Sequence, residues 1–283
     1  MPKSAGFSSL PVRKVSKGNE TETTDALAVE EPLEIRIGFQ DGDVRRTRAV
    51  SITMRTPGDD FELASGFLFT EGIITSPDQI KDIKHCGPKD TEGETNTVRL
   101  DLIDDLEIDL KSLERHFYTT SSCGVCGKSS IEALYTGAKR LSSNSFLLDG
   151  RLINSLPKKL RENQEVFERT GGLHASALFV STGDLVEIRE DVGRHNALDK
   201  AIGARFLKGQ TVLDEMVLVV SGRASFELVQ KALMASIPIM LAVGPPSTLA
   251  VELAEEFGMT LVGFVRDGGY NVYTGAERVS GER

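Results

Sequence analysis

Residues 216–265 read MVLVVSGRASFELVQKALMASIPIMLAVGPPSTLAVELAEEFGMTLVGFV, and their pattern indicates the fold class. Continuous apolar runs alternate in it with segments of helical spacing. The predicted order is strand 216–220, helix 226–235, strand 237–243, helix 248–257 and strand 260–265. Short loops between such elements are typical of parallel crossovers in a buried sheet. The second half of the chain is therefore predicted to be an α/β domain.

Further elements are predicted on the N-terminal side of this stretch. Residues 194–207 have helical spacing, and 157–168 resemble a short amphipathic helix. Residues 174–181 and 185–190 flank Thr182-Gly183-Asp184 and predict a hairpin. A second predicted hairpin lies earlier in the chain, where 32–38 alternate like an edge strand, Asp41-Gly42 make the turn and 50–54 form the partner strand.

The predicted organisation has three segments. Residues 1–30 are rich in polar residues and predict a flexible N-terminal arm. Residues 31–136 form an N-terminal part that ends in a mobile C-x-x-C loop, and residues 137–283 form the α/β part. The last two segments can belong to one domain.

Composition narrows the classes of function. The chain has 283 residues and a formal net charge of −9, which argues against a nucleic-acid or anionic-membrane binder. Three cysteines make no disulfide framework in a chain of this size. No apolar run reaches the roughly 18 residues that cross a bilayer, and the N-terminus lacks the apolar core of a signal peptide. We therefore expect a cytoplasmic protein with reduced thiols.

Two of the cysteines, Cys123 and Cys126, form a C-x-x-C pair in a loop rich in Ser, Thr and Gly. Three chemistries are open to such thiols: transfer of a group through a reactive thiolate, disulfide exchange, and zinc binding. Zinc would need two more ligands, for which His85 and Cys86 are candidates. A zinc deaminase is excluded, because no histidine begins an H-x-E motif and Ser122 stands where P-C-x-x-C requires proline.

Loops rich in glycine and arginine follow the predicted strands. Three of them are 221–225, 244–248 and 264–269, and 171–174 is a candidate fourth wall of the same pocket. The run 189–196, which contains Arg194 and His195, is a further candidate pocket for an anion or a nucleotide. Loops at the carboxyl ends of parallel strands meet at one edge of a sheet, where α/β proteins bind ligands. Arginine forks suit phosphate, so a phosphate-rich ligand is favoured over ordinary connecting turns.

Several runs resemble the FdhD family of formate dehydrogenase accessory sulfurtransferases. The resemblance covers roughly residues 30–280 and rests on the runs SSCGVCG at 121–127, DVGRHNALDK at 191–200, SGRAS at 221–225, STLA at 247–250 and GFVR at 263–266. It implies a mixed sheet flanked by helices, similar to cytidine deaminase, in a homodimer. It also implies that Cys123 carries a persulfide and that Cys126 is its partner.

The same resemblance implies a reaction. Family members accept sulfane sulfur from a cysteine desulfurase and pass it to the bis-molybdopterin guanine dinucleotide form of the molybdenum cofactor, which formate dehydrogenase requires. The residues expected to bind this cofactor, or a GDP-like nucleotide that mimics it, are Arg194, His195, Ser221, Gly222, Arg223, Phe264, Val265, Arg266, Asp267, Gly268 and Gly269. A cofactor-binding chaperone without enzymatic activity and a thiol–disulfide oxidoreductase remain as alternatives. Cys86 has no role in the family and is interpreted as structural.

Overall fold

The computed structural model describes residues 6–88, 95–106, 137–142, 146–266 and 268–281. Cys123, Cys126 and Asp267, and with them the predicted C-x-x-C loop, lie outside the described residues. No helix among the described residues is both long enough and apolar enough to cross a membrane.

The first described element is an antiparallel hairpin of β1 (Phe7–Ser16) and β2 (Asn19–Ala28). Residues 1–30 are predicted to be a flexible arm, whereas ten residues of β1 pair with ten of β2. The two strands lack the alternation of apolar and polar residues that predicts a strand. The reason is that the hairpin is largely exposed and buries no continuous apolar face. Its base is held to the body, where the Val29 amide donates to the Gly6 carbonyl and the Arg169 guanidinium lies 5.0 Å from the Phe7 ring centroid.

A four-stranded sheet follows, in the order β4-β3-β6-β5. Its strands are β3 (Glu31–Asp41), β4 (Val44–Arg55), β5 (Ile80–His85) and β6 (Thr97–Leu102). The predicted hairpin of β3 and β4 is confirmed, but the prediction that its first strand lies at an edge is wrong. The alternation of apolar and polar residues indicates that one face of a strand is buried, but it does not indicate how many neighbouring strands that strand has. The second neighbour of β3 is the parallel strand β6, which comes from much later in the chain.

The second half of the chain builds a six-stranded sheet in the order β13-β12-β11-β10-β8-β9. Its strands are β8 (His174–Phe179), β9 (Leu185–Asp191), β10 (Val217–Val220), β11 (Ile239–Ala242), β12 (Thr260–Arg266) and β13 (Gly269–Thr274). The parallel pairs β10–β11 and β11–β12 confirm the predicted crossovers, and β8 and β13 pair antiparallel to their neighbours. A short parallel pair, β7 (Leu148–Asp149) with β14 (Val279–Ser280), lies apart from this sheet.

Helices cover both faces of the six-stranded sheet. They are α1 (Asp60–Thr70), α2 (Gly150–Ile153), α3 (Leu156–Glu162), α4 (Glu165–Thr170), α5 (Arg194–Phe206), α6 (Phe226–Met234) and α7 (Thr248–Phe257). The amphipathic helix predicted at 157–168 is in fact two helices, α3 and α4. Alternate residues of β10 belong to two hydrophobic cores, one on each face of the sheet. Leu218 and Val220 pack in the core formed with α1, α5, α6, α7 and the four-stranded sheet. Val217 and Val219 pack in the core formed with α2 and α3. The predicted mixed sheet flanked by helices is thus confirmed.

Helices α1 and α5 cross in close backbone contact at two glycines. A Cβ atom on Gly66 would lie 1.9 Å from the Asp199 carbonyl oxygen, and one on Gly203 would lie 1.9 Å from the Glu62 carbonyl oxygen. Real Cβ atoms do not approach backbone oxygen this closely, so only glycine lets the helices pack as they do.

Gly66→Ala is therefore expected to destabilise the protein, although Gly→Ala inside a helix ordinarily gains up to about 1 kcal/mol. Separating two packed helices costs about 1–3 kcal/mol or more, which exceeds that gain. The midpoint of urea unfolding measures the effect. Gly172→Ala is the control, because its nearest neighbour would lie at an ordinary 3.6 Å. Equal midpoints for the two variants would contradict the close crossing.

Candidate functional site

Four strands of the large sheet end at the same edge. Strand β8 runs antiparallel to both β9 and β10, and β10, β11 and β12 are parallel. Strands β9 to β12 therefore share one direction, and the loops that follow β9, β10 and β11 lead into α5, α6 and α7 at that edge. This is the edge at which open α/β sheets bind ligands.

Backbone hydrogen bonds join the loops that follow β10 and β11 to each other and to strand β12. The Gly244 amide donates to the Gly222 carbonyl over 2.9 Å, and the Ser247 amide donates to the Ala224 carbonyl over 3.0 Å. The Phe264 amide donates in turn to the Gly244 carbonyl over 3.2 Å. The predicted convergence of the loops at 221–225 and 244–247 is thus confirmed, whereas Phe264, predicted to begin a third loop, lies in β12.

The predicted fourth wall also contacts this edge. The Ser221 amide donates to the Ala175 carbonyl over 3.0 Å, and the Ser221 Oγ accepts from the Ala175 amide over 2.9 Å. A Cβ atom on Gly222 would lie 3.5 Å from His174 Nδ1, so the imidazole packs directly on the loop. Ser221 and Gly222 are therefore brought beside His174, at the start of β8.

Three helix N-termini open onto the same edge. Helix α5 begins after Gly193 and α6 after Ser225, and neither residue caps its helix with a side-chain hydrogen bond. At α7 the Ser247 hydroxyl does accept from the Ala250 amide, over 3.3 Å. Uncapped helix N-termini present free amide groups and a partial positive charge, which together favour an anion.

Cationic side chains reinforce this polarity. Within the described part of the chain, Arg194 is half-buried, Arg223 is exposed, and neither forms an ion pair. The exposed Arg266 places its guanidinium 5.3 Å from the ring centroid of Phe264. An otherwise acidic chain therefore carries a local positive edge, to which an anionic ligand would be attracted.

His195 faces a carboxylate that the sequence analysis misses. Its buried Nε2 atom lies 3.7 Å from Glu227 Oε2 and has no hydrogen-bond partner among the residues that the structure describes. The imidazole, aided by the Glu227 amide and Ser225, lowers the pKa of Glu227 to about 2, against the opposing effect of burial. Glu227 lies in the first turn of α6, where acidic residues are common for the sake of the helix dipole, so its position gave no functional signal.

The predicted C-terminal segment only partly faces the site. Phe264 adopts a left-handed backbone with φ of 55°, which is unusual for a bulky residue. The Val265 side chain is buried in the core that α2 and α3 cover, so it cannot contact a ligand at the edge. Gly268, with φ of 92°, is exposed in the turn between β12 and β13, and the exposed Gly269 begins β13 opposite Arg266.

The third cysteine lies in the four-stranded sheet region. Cys86 is half-buried and its amide donates to the Thr97 carbonyl over 2.9 Å. The neighbouring His85 ring lies 4.9 Å from the ring centroid of Phe61. The described residues contain no group of three or more His, Cys, Asp or Glu side chains that could hold a metal ion.

The titration of His174 is shifted by its position at this edge. Burial, followed by the charges of Arg194 and His195, lowers the pKa of His174 below 6.5, and Asp191 opposes that shift. The imidazole of the folded protein therefore stays neutral at a pH where an unfolded chain already takes up a proton. The unfolded state binds more protons as the pH falls, so stability declines from about pH 6.5 down to the folded-state pKa.

His174→Gln is accordingly expected to lose less stability on acidification than the wild-type protein. Urea unfolding at about pH 7.5 and about pH 5.5 measures the difference, since it brackets the ordinary histidine pKa. His85→Gln, on the other sheet, is the control. An unchanged dependence on pH in His174→Gln would show that the imidazole is not held neutral.

Comparisons with known proteins agree on one family. The model of the FdhD/NarQ family matches residues 28–280. A protein named sulfur carrier protein FdhD from Streptomyces avermitilis is 47% identical over 273 residues, covering 95% of this chain and 94% of the relative. One of the same name from Streptomyces coelicolor is 46% identical with the same coverage.

One solved structure has a similar fold. It is the crystal structure of a candidate formate dehydrogenase accessory protein from Desulfotalea psychrophila, with a TM-score of 0.71. It covers 97% of this chain and 99% of that one, at 23% identity. At this identity the likeness supports the fold alone, namely a mixed α/β arrangement with sheets flanked by helices.

Proposed function

Because this chain belongs to the FdhD/NarQ family, we propose that it is a sulfur carrier protein that serves the maturation of formate dehydrogenase. The relatives' name supports the carrier role, and the match over nearly the whole chain supports its transfer to this protein. The observation that carries the cofactor part of the proposal is the positive edge. There, helix N-termini without a side-chain cap meet Arg194 and Arg223, which have no ion-pair partner among the described residues.

The sulfur-carrying group is Cys123 in this proposal. Its thiolate attacks the outer sulfur of a persulfide on a cysteine desulfurase, and a new S–S bond forms on Cys123. The S–S bond of the donor breaks, and the donor cysteine leaves as a thiolate. Cys126, three residues away, is the second thiol of the loop. The protein then acts as a persulfide-based sulfurtransferase.

The acceptor is the bis-molybdopterin guanine dinucleotide cofactor, bound as a substrate. Its phosphates are anions, which suit the starts of α5 and α6 and the guanidinium groups of Arg194 and Arg223. The ring of Phe264 and the guanidinium of Arg266 offer surfaces for stacking on guanine. In this arrangement the chain's own residues orient the cofactor, and the chemistry occurs at the sulfur that Cys123 delivers.

The proposal includes the setting of the reaction. The sulfur donor is a cysteine desulfurase, the client is formate dehydrogenase, and the protein acts in the cytoplasm as a homodimer. The negative overall charge supports protein and small-molecule partners rather than nucleic acid.

The positive edge would also serve a chaperone that binds the cofactor without transferring sulfur. The two functions differ in what happens at the thiols. After incubation with a desulfurase and cysteine, a sulfur carrier gains the mass of one sulfur atom on Cys123, measured by mass spectrometry of the intact protein and its peptides. Absence of that adduct, together with one zinc ion per chain, would overturn the carrier proposal. An intramolecular disulfide with turnover of a dithiol substrate would instead support an oxidoreductase.

A further inference from the structure

The run DVGRHNALDK contains two kinds of residue that the structure separates. Arg194 and His195 reach the positive edge, whereas Asp191, Asn196 and Lys200 are buried beneath it. Buried charged groups need partners, because removing charge from water without compensation is costly. The contacts of the buried group show what it does for the edge above it.

The Asp191 carboxylate is fully buried and accepts four hydrogen bonds or ion-pair contacts. Its Oδ2 receives the Lys200 ammonium over 2.8 Å and the Thr56 amide over 3.1 Å. Its Oδ1 receives the Gly193 amide over 2.8 Å and the Asn196 side-chain amide over 3.1 Å. Each oxygen is thus held by two donors, which leaves the carboxylate one orientation.

These donors come from two different parts of the molecule. Thr56 follows β4 of the four-stranded sheet, and the Lys200 ammonium donates to its carbonyl over 2.8 Å as well. The Val192 amide donates to the Thr56 hydroxyl over 3.2 Å, and the Asn196 side chain donates to the Met54 carbonyl over 2.8 Å. Asp191 and Lys200 therefore clamp the end of β4 to the turn that begins α5.

That turn is the part of the site whose geometry matters most for an anion. Gly193 begins α5 without a side-chain cap, so the direction of the free amides depends on how the backbone of 192–193 is held. Asp191 binds this backbone directly, through the Gly193 amide. Arg194 and His195 follow at once and take their direction from the same turn.

We propose that Asp191, held by Lys200, is a positioning residue for the anion site. Resting on the proposed function, it sets the direction of the first amides of α5 and of Arg194 and His195 toward the cofactor's phosphates. The site in the six-stranded sheet is completed only when the end of β4 is docked, because that segment supplies the second half of the clamp.

The same helix contains a matched control. Asp199 and Lys231 form a second buried pair with a distance of 3.0 Å, and Lys231 also donates to the Thr70 hydroxyl and to Glu71, each over 2.9 Å. Burial lowers the pKa of Lys231, but the charges of Asp199 and Glu71 outweigh that effect and raise it. This pair joins α5 to α1 and α6, and none of its hydrogen bonds or ion pairs within the described part of the chain involves the turn at 192–193.

The experiment compares Asp191→Asn with Asp199→Asn, using GDP as the probe. Both variants lose a buried carboxylate charge, so both are expected to unfold at lower urea concentration than the wild type. Calorimetry under conditions in which each is folded should show about tenfold weaker GDP binding for Asp191→Asn, and binding within about twofold of wild type for Asp199→Asn. Histidine NMR signals of His195 should move in Asp191→Asn alone.

A second variant, Gly193→Ala, tests the positioning role if Asp191→Asn does not fold. A Cβ atom on Gly193 would lie 3.0 Å from Asn196 Nδ2 and 3.4 Å from Asp191 Oδ1, so Gly193→Ala pushes on the clamp without removing a charge. Weaker GDP binding in this variant supports the positioning role. Wild-type affinity in Asp191→Asn or, failing that, in Gly193→Ala overturns the positioning role alone. Absence of GDP binding by the wild-type protein overturns the proposed cofactor site and the positioning role with it.

Discussion

Cys123→Ala is expected to abolish the activation of formate dehydrogenase while leaving GDP binding unchanged. Alanine has no sulfur atom, so no persulfide can form at this position and no sulfur can be delivered. The described residues of the edge are joined through their own hydrogen bonds, so we expect the anion site to form without this side chain. Activation is measured as formate oxidation by the dehydrogenase matured in a strain that carries the variant, and binding is measured by calorimetry.

Cys86→Ser is the matched control for this prediction. Cys86 is the third thiol of the chain, half-buried beside the four-stranded sheet, and its serine variant should retain both activation and GDP binding. Cys126→Ala in the same assay tests whether the second thiol of the loop relays sulfur. Full activation by Cys123→Ala would contradict the proposed carrier, and loss of GDP binding in that variant would contradict the separation of the two tasks.

Replacing both unpaired arginines, as Arg194→Ala with Arg223→Ala, is expected to weaken GDP binding about 100-fold. Each guanidinium can donate a charge-assisted hydrogen bond to phosphate, and such bonds contribute about 1.5–3 kcal/mol each. The sum of about 3 kcal/mol corresponds to about two decades of affinity. Because neither arginine has an ion-pair partner among the described residues, truncating them leaves no carboxylate unpaired there, and stability should change little.

The control for the arginine pair removes the same charge elsewhere. Arg13 pairs with Glu20 across the exposed hairpin, and Lys158 lies 3.9 Å from Glu162 on the exposed side of α3. A variant with both of these changed to alanine has the same net charge as the arginine variant, so it reports the general electrostatic effect. Similar affinities for the two double variants would remove Arg194 and Arg223 from the pocket and leave only the net charge as an explanation.

Much of the second half of the fold could be predicted because its strands are buried on both faces. Continuous apolar runs such as 217–220 and 239–242 differ in pattern from the amphipathic helices around them, so they can be recognised as buried strands. The short loops that join each strand to the next helix predict parallel crossovers. The exposed hairpin of β1 and β2 could not be predicted in this way. Its strands bury no apolar face, so their pairing depends on backbone hydrogen bonds, which leave no periodic pattern in the sequence.

The candidate site likewise contains residues that could be predicted from the sequence and residues that could not. Arg223 and the loops around it were predicted because glycine and arginine at strand ends have a chemical meaning wherever they occur. Glu227 was not, because an acidic residue in the first turn of a helix is common. The burial of Val265 was missed as well, since its place in a ligand-binding segment gives no information about which face its side chain takes.

The α/β class, the C-x-x-C pair, the cationic loops and the family of this chain can all be read from its residues. These follow from local residue types and their spacing, which need no knowledge of distant contacts. Three features required the folded molecule: β3 is an interior strand, α1 and α5 cross at Gly66 and Gly203, and Asp191 clamps the end of β4 to the start of α5. Each of these depends on residues that are far apart in the chain and become neighbours only when the two sheets pack through the same helices, as the 2.8 Å contact between Lys200 and the Thr56 carbonyl illustrates.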